Sequence, residues 1–364
     1  MNHEGREAHE AKPITKKFGF LPVLTFVFFV SFVVSNHFVV LAQDRISAAK
    51  KEGTLTLYTT IAEKDLPTLL KPFESKYGIK VNIWRAGTSN VLQRAVQEAA
   101  AKKYDVDVIH IGSPEMEALA REQILQPMTS PVQNDLQPGS VPAHHQWAAT
   151  LLSVWVQAYN TKLIRKDQLP RTYKDLLDPK WKGKLILDDP RRAGPGQATL
   201  TFFYLQPELG VDFIRALGKQ QITILKDYAQ EVDAIGQGRY PVLIGTADFV
   251  AVARAKQGIP IAIVDPRQLK EGADVSPANG ALALFNRAPH PNAAKVYINW
   301  LLSKEGQTVF ASANGYVSAR LDVPTDHAEP WRVPLPGAIK TYTKAAQQAK
   351  DNLMPLLIEV FGNP

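Results

Sequence analysis

Residues 184–200 read KLILDDPRRAGPGQATL. A short apolar run, Leu185-Ile186-Leu187, stops at two acids, and a Gly-Pro-Gly turn follows two arginines. Bounded by turn residues, such a run reads as a buried strand. The residues after the turn predict a helix at about 197–206. A strand that passes to a helix through glycines is the unit of a helix-flanked, mostly parallel sheet. It also leaves backbone N–H groups and a partial positive charge at the end of the strand.

The same unit recurs on both sides. Thr54–Thr60 alternates and is rich in β-formers, Asp65–Tyr77 carries Leu66, Leu69, Leu70 and Phe73 at helical spacing, and Tyr77-Gly78 is a helix stop. Strands follow at 79–84 and 106–111, separated by a helix from Gly87-Thr88-Ser89-Asn90 to about Lys103. Beyond a polar, proline-containing stretch at 126–145, strands are predicted at 153–159, 185–187, 222–225, 241–244, 261–264 and 281–285. Helices alternate with them at 211–217, 231–237 and 249–256, and continue at 291–302, 304–312 and about 336–361. The expected fold class is α/β with two lobes, each a mostly parallel sheet flanked by helices, and a ligand cleft at the strand ends.

The chain has 364 residues, 45% hydrophobic and 21% charged, with net charge +7 and no cysteine. These are soluble globular values, and no Lys/Arg block or basic-aromatic stripe marks a nucleic-acid binder. Without cysteine there is no disulfide, no thiolate metal site and no lipid-modified N-terminal cysteine. Lys12, Lys16 and Lys17 precede an apolar run from Phe18 to Val34, and Val40-Leu41-Ala42 ends it. That order predicts a secretory signal peptide over residues 1–42, cut before Gln43, and a periplasmic protein.

Several segments resemble the periplasmic solute-binding proteins of ABC transporters, specifically the extracellular family 1 group that includes ferric-iron binders. They are YKDLLDPKWKGK at 173–184 with Asp189-Pro190, APHPNAAK at 288–295, WLLSKEGQ at 300–307, GYVSAR at 315–320 and, more weakly, VQAYNTKLI at 156–164. The resemblance implies the type II two-lobe fold and a protein that delivers one small solute to an inner-membrane permease and ATPase. It implies lobe one from 46–145 plus 277–364, lobe two from 150–270, and hinge crossings near 146–150 and 265–280. A monomer without cofactor is expected.

The ferric binders of this family commonly place two adjacent tyrosines after the strand that follows a Gly-x-x-Pro turn, because phenolate is a hard donor. Here that stretch is RYPVLIGTADF at 239–249, so the pair is Asp248-Phe249. Some relatives add a histidine after the first strand and an acid after the third; here stand Ile61-Ala62 and Ile111-Gly112-Ser113. No metal ligand set is expected, with Asp248 alone retained should ferric ion bind. A small anionic solute is expected instead.

The ligand candidates are the polar groups at strand ends. Arg191 and Arg192 offer bidentate clamps for carboxylate or phosphate, or else pair with Asp188 and Asp189. Gly194, Gly196 and Gln197 offer backbone approach at a helix start. Tyr58, Thr59 and Thr60 end the first strand; Thr88, Ser89 and Asn90 open a helix; Tyr228 and Gln230 precede another; Asp248 is placed for an amine or hydroxyl. Each has a plain capping or turn role as its alternative. Asn279-Gly280 reads as a hinge or a turn. A ferric ion or chelate ligand, and a sensory receptor on the same fold, are the competing functions. No G-x-S-x-G, H-E-x-x-H, phosphate loop or G-x-G-x-x-G is present, so an enzyme is not expected.

Overall fold

A computed structural model describes residues 44–192, 194–276, 280–338 and 344–363. Residues 48–364 form one compact unit, to which everything below belongs. The predicted signal peptide, Asn279 and part of the last predicted helix fall outside the described residues.

The first half builds one sheet. β1 (Thr54–Thr59) alternates as expected, with Leu55 and Leu57 wholly buried. α1 (Leu66–Tyr77) buries the four predicted apolar residues and stops at Gly78, whose φ of 66° is left-handed. β2 (Lys80–Arg85), α2 (Thr88–Ala100) and β3 (Val108–Ile111) follow, then α3 (Ser113–Arg121), which the hydropathy pattern did not announce. β4 (Leu125–Gln126) and β5 (Ala148–Ala149) are two-residue strands.

β6 (Leu151–Asn160), buried at all ten positions, starts the second sheet. After it come β7 (Leu185–Asp188), α4 (Pro195–Leu205), α5 (Gly210–Gly218), β8 (Thr223–Leu225), α6 (Tyr228–Gly236), β9 (Val242–Ala247), α7 (Asp248–Lys256), β10 (Ile261–Ile263) and β11 (Asp274–Ser276). β12 (Ala281–Phe285), α8 (Pro291–Leu302), α9 (Lys304–Asn314), β13 (Val317–Ser318) and α10 (Lys344–Phe361) complete the chain.

The sheet orders are β2-β1-β3-β12-β4, with β5 on β12, and β10-β6-β9-β7-β8, with β11 and β13 on β6. β1 is parallel to β2 and β3, and β7 is parallel to β8 and β9; β12 and β6 run against their neighbours. The mixed α/β class is therefore as the sequence implied.

Two crossings between the sheets lie side by side, one through Thr150 and one ahead of β12. The Thr150 N–H donates to the Gly280 carbonyl at 3.0 Å. A Cβ on Gly280 would sit 2.6 Å from Thr150 Oγ1 and 2.8 Å from Leu151 Cγ, so only glycine lets the crossings run this close. Beside them His110 Nε2 contacts Thr150 Oγ1 at 2.8 Å, and burial pushes the imidazole down to about 3, which keeps it neutral.

The last helix corrects the lobe assignment. α8 and α9 do pack with the first sheet, through Phe73 against Tyr297 and Trp300 and through the Lys76–Glu305 ion pair. α10, assigned with them to lobe one, instead buries Leu353, Leu356 and Leu357 in a core shared with Leu200, Phe203 and Phe213 of the second lobe. A Cβ on Gly218 would lie 2.3 Å from Val360 Cγ1, a close helix approach that fixes α10 on α5. An apolar stripe states that a helix packs, not which sheet it packs on.

Candidate functional site

The strand registers locate the cleft. Ile111, the last residue of β3, pairs with Ala281, which also pairs with Ala149, so the carboxyl ends of the first sheet's parallel strands reach the crossings. In the second sheet Ala247 at the end of β9 pairs with Trp155 at the middle of β6, and β7 runs parallel to β9. Both sets of strand ends thus converge on the hinge. The starts of α2, α3, α4, α6 and α7 lie there, where open α/β sheets receive ligands.

The 188–197 segment does not form the predicted clamp. Arg191 Nε and Nη2 grip Asp189 at 2.7 and 3.0 Å. Its Nη1 donates to the carbonyls of Phe361, Gly362 and Asn363 at 2.8, 3.0 and 2.7 Å. Arg191 therefore ties the end of α10 to the β7 turn. Burial alone would raise Asp189, but Arg191 outweighs it and holds the carboxyl below its usual range. Arg192 is exposed, and its Nη1 donates to the Lys226 carbonyl at 3.1 Å.

The start of α4 is filled from within. The Gly196 N–H donates to Asp188 Oδ2 at 3.0 Å, and a Cβ on Gly196 would lie 2.0 Å from the Asp188 carbonyl oxygen. A Cβ on Gly194 would lie 2.8 Å from Asp188 Oδ2. The close approach that these glycines permit is to Asp188 of the same chain. Gln197 is half-buried, and its carbonyl accepts from Thr201.

Asp188 faces Glu231 in the first turn of α6. Burial, then the Asp188 charge beside it, pushes Glu231 up to about 8; Asp188 is raised too, mainly by burial. Glu231 therefore keeps its proton beside Asp188 near neutral pH. Asp227 caps α6 by accepting from the Gln230 N–H at 2.9 Å, which leaves Gln230 exposed in a capping turn. The Tyr228 side chain lies outside the described residues.

Asp248, at the start of α7, is wholly buried and ion-paired. Arg332 Nε donates to Asp248 Oδ2 at 2.8 Å, and its Nη1 donates to the Gly315 carbonyl at 2.7 Å. The guanidinium carbon lies 4.0 Å from the Tyr316 ring centroid and 4.9 Å from that of Trp331. Burial and then Asp248 raise the Tyr316 phenol, so it stays protonated. Arg332 and Tyr316 were missed as site residues: the Pro330-Trp331-Arg332 turn has no periodicity, and only tertiary packing brings it to Asp248.

The first-sheet candidates divide. Tyr58 is in the core, its hydroxyl donating to Glu98 at 2.9 Å and its ring stacked under Arg94 with Trp84; it does not face the cleft. The Thr59 hydroxyl is buried and accepts from the Ile61 N–H at 3.1 Å. Thr60 and Thr88 are half-exposed, and Ser89 and Asn90 are exposed. The N-caps of α2 and α3 are Gly87 and Gly112, and neither helix start carries a side-chain cap. Arg85, at the end of β2 two residues ahead of Gly87, is exposed, its Nε on the Ile61 carbonyl at 2.7 Å. Among the described residues no group of three or more His, Asp or Glu side chains is placed to hold a metal ion.

Residues 49–308 match the family described as bacterial extracellular solute-binding protein. A Serratia marcescens Fe(3+)-binding periplasmic protein is 24% identical over 74% of this chain and 79% of its own. The open form of Mannheimia haemolytica ferric iron-binding protein A superposes with a TM-score of 0.67 at 18% identity, covering 85% of this chain and 99% of that one. The periplasmic binding protein AfuA from Actinobacillus pleuropneumoniae, with exogenous fructose-6-phosphate bound, gives 0.59 at 20%, covering 84% and 98%. These structures share the type II periplasmic binding fold with this chain.

Proposed function

The chain belongs to the bacterial extracellular solute-binding protein family, and we propose that its solute is a small molecule with at least one anionic group. The cleft closes on it and the loaded protein docks on an inner-membrane permease and its ATPase, with which the family works. The carrying observation is the pair of glycine N-caps, Gly87 and Gly112. They leave the starts of two helices without a side-chain cap at the strand ends of the first lobe, with Arg85 at the end of β2, two residues ahead of Gly87. Helix starts without such a cap are suited to an anion.

The charge pattern opposite speaks against bare ferric ion. Asp248, the one acid at the position of the relatives' metal ligands, already holds Arg332. Asp189 holds Arg191, and Glu231, pushed up to about 8 by burial and then by Asp188, keeps its proton. A trivalent cation would find these acids neutralised. Iron carried as an anionic chelate is the second reading, favoured by the names of the Serratia and Mannheimia proteins. A periplasmic location after removal of residues 1–42 completes the proposal.

The test is thermal unfolding of the chain from Gln43, refolded to strip carried ligand, with fructose 6-phosphate, inorganic phosphate, ferric citrate and ferric ion. A solute at a hundred times its Kd adds about 2.7 kcal/mol. Stabilisation by the anions is expected; stabilisation by ferric ion alone overturns the proposal.

A further inference from the structure

Of the cations around the strand ends, Arg191 is spent on Asp189 and on the three carbonyls after α10, and Arg85 and Arg192 are exposed. Arg332 differs from them. Its side chain is only 8% exposed, yet it sits at the hinge with partners from both lobes. Gly315 ends α9 on the first-lobe side, and Asp248 begins α7 on the second. The Tyr316 ring covers one face of the guanidinium. Nε and one Nη1 proton are used, whereas Nη2 has no hydrogen-bond partner among the described residues.

We infer that Arg332 receives the anionic group of the solute, through the edge formed by Nη2 and the second Nη1 proton; this rests on the anionic reading of the cleft. A guanidinium edge with two parallel N–H donors matches a carboxylate or phosphate bidentately. Its orientation is set in advance by Asp248, Gly315 and Tyr316, so little side-chain entropy is lost on binding. A buried cation attracts more strongly than an exposed one because water screens it less. Because its two partners belong to different lobes, an anion on Arg332 is felt by both, which couples recognition to closure. The solute class is a carboxylate, phosphonate or phosphate monoester, with a dianion preferred because its attraction to the guanidinium grows with its charge.

The experiment is calorimetric titration with fructose 6-phosphate and inorganic phosphate. The proteins are the wild type, Arg332→Gln, Arg332→Lys, and the double variant Arg332→Gln/Asp248→Asn, which removes both buried charges and so avoids an unpaired carboxylate. The expected result is a loss of at least about a hundredfold in the two Gln variants and about tenfold in Arg332→Lys, which keeps the charge but not the fork. Wild-type affinity should also fall as pH drops below about 6, where a phosphate loses its second charge, and that dependence should be absent in the Gln variants. A merely structural arginine would not move this pH profile. Binding by the double variant or by Arg332→Lys within threefold of wild type overturns the inference and leaves the anionic reading intact. A wild type that binds no anionic probe overturns that reading, and the inference with it.

Discussion

Replacing Glu231 by glutamine should change how stability depends on pH, with a sign fixed by the buried pair. Glu231 is wholly buried, and its carboxyl moves from an ordinary 4.5 up to about 8, through burial and then the neighbouring Asp188. Below pH 4.5 both the folded and unfolded chains hold the proton. Between 4.5 and about 8 the folded chain holds it and the unfolded chain has released it, so stability falls as pH rises. Each pH unit in that window weighs about 1.4 kcal/mol, and because Glu231 and Asp188 titrate as a coupled pair, about 2–3 kcal/mol is expected by pH 7–8. Glutamine keeps the shape of the side chain and cannot ionise. Urea unfolding followed by tryptophan fluorescence at pH 5, 6, 7 and 8 should give near-equal stability for variant and wild type at pH 5. At pH 8 the variant should be more stable by about 2–3 kcal/mol. Two stability curves running parallel across that range would refute the raised Glu231 carboxyl.

Two further substitutions probe the same turn. Arg191→Ala removes a buried ion pair with Asp189 and three bonds to the end of α10. It should cost about 3–5 kcal/mol in urea unfolding and speed amide exchange in α10, while solute affinity stays within a few-fold of wild type. Gly196→Ala places a Cβ 2.0 Å from the Asp188 carbonyl oxygen. Thermal unfolding should show a loss above about 3 kcal/mol, because backbone rather than a flexible side chain blocks the methyl.

The alternation of strands and helices was legible because buried strands such as Leu185–Asp188 and amphipathic helices such as Leu66–Tyr77 carry their periods in the chain. α3 escaped because its nine residues follow Gly112 with little apolar run to announce them. α10 was recognised but docked on the wrong lobe, since Leu353 and Leu357 specify burial and not a partner. At the site, the glycines of 194–196 are expected to let the backbone approach a solute, and the close approach they make is within the chain. What approaches is Asp188, and no local pattern distinguishes a carboxylate eight residues upstream from a diffusing anion. The two arginines illustrate the same limit. Arg191 stood in a suggestive motif and is consumed by the C-terminal carbonyls, whereas Arg332 stood in an unremarkable turn and reaches Asp248 across 84 residues.

The account rests on the identity of the solute, and the protein itself carries the answer. The full chain, expressed from residue 1 and isolated without refolding, should be weighed by native mass spectrometry and assayed for iron by elemental analysis. The account predicts a small organic or inorganic anion released on denaturation, iron well below one equivalent, and loss of that mass in the Arg332→Gln/Asp248→Asn variant. One equivalent of ferric ion with no accompanying anion would contradict it.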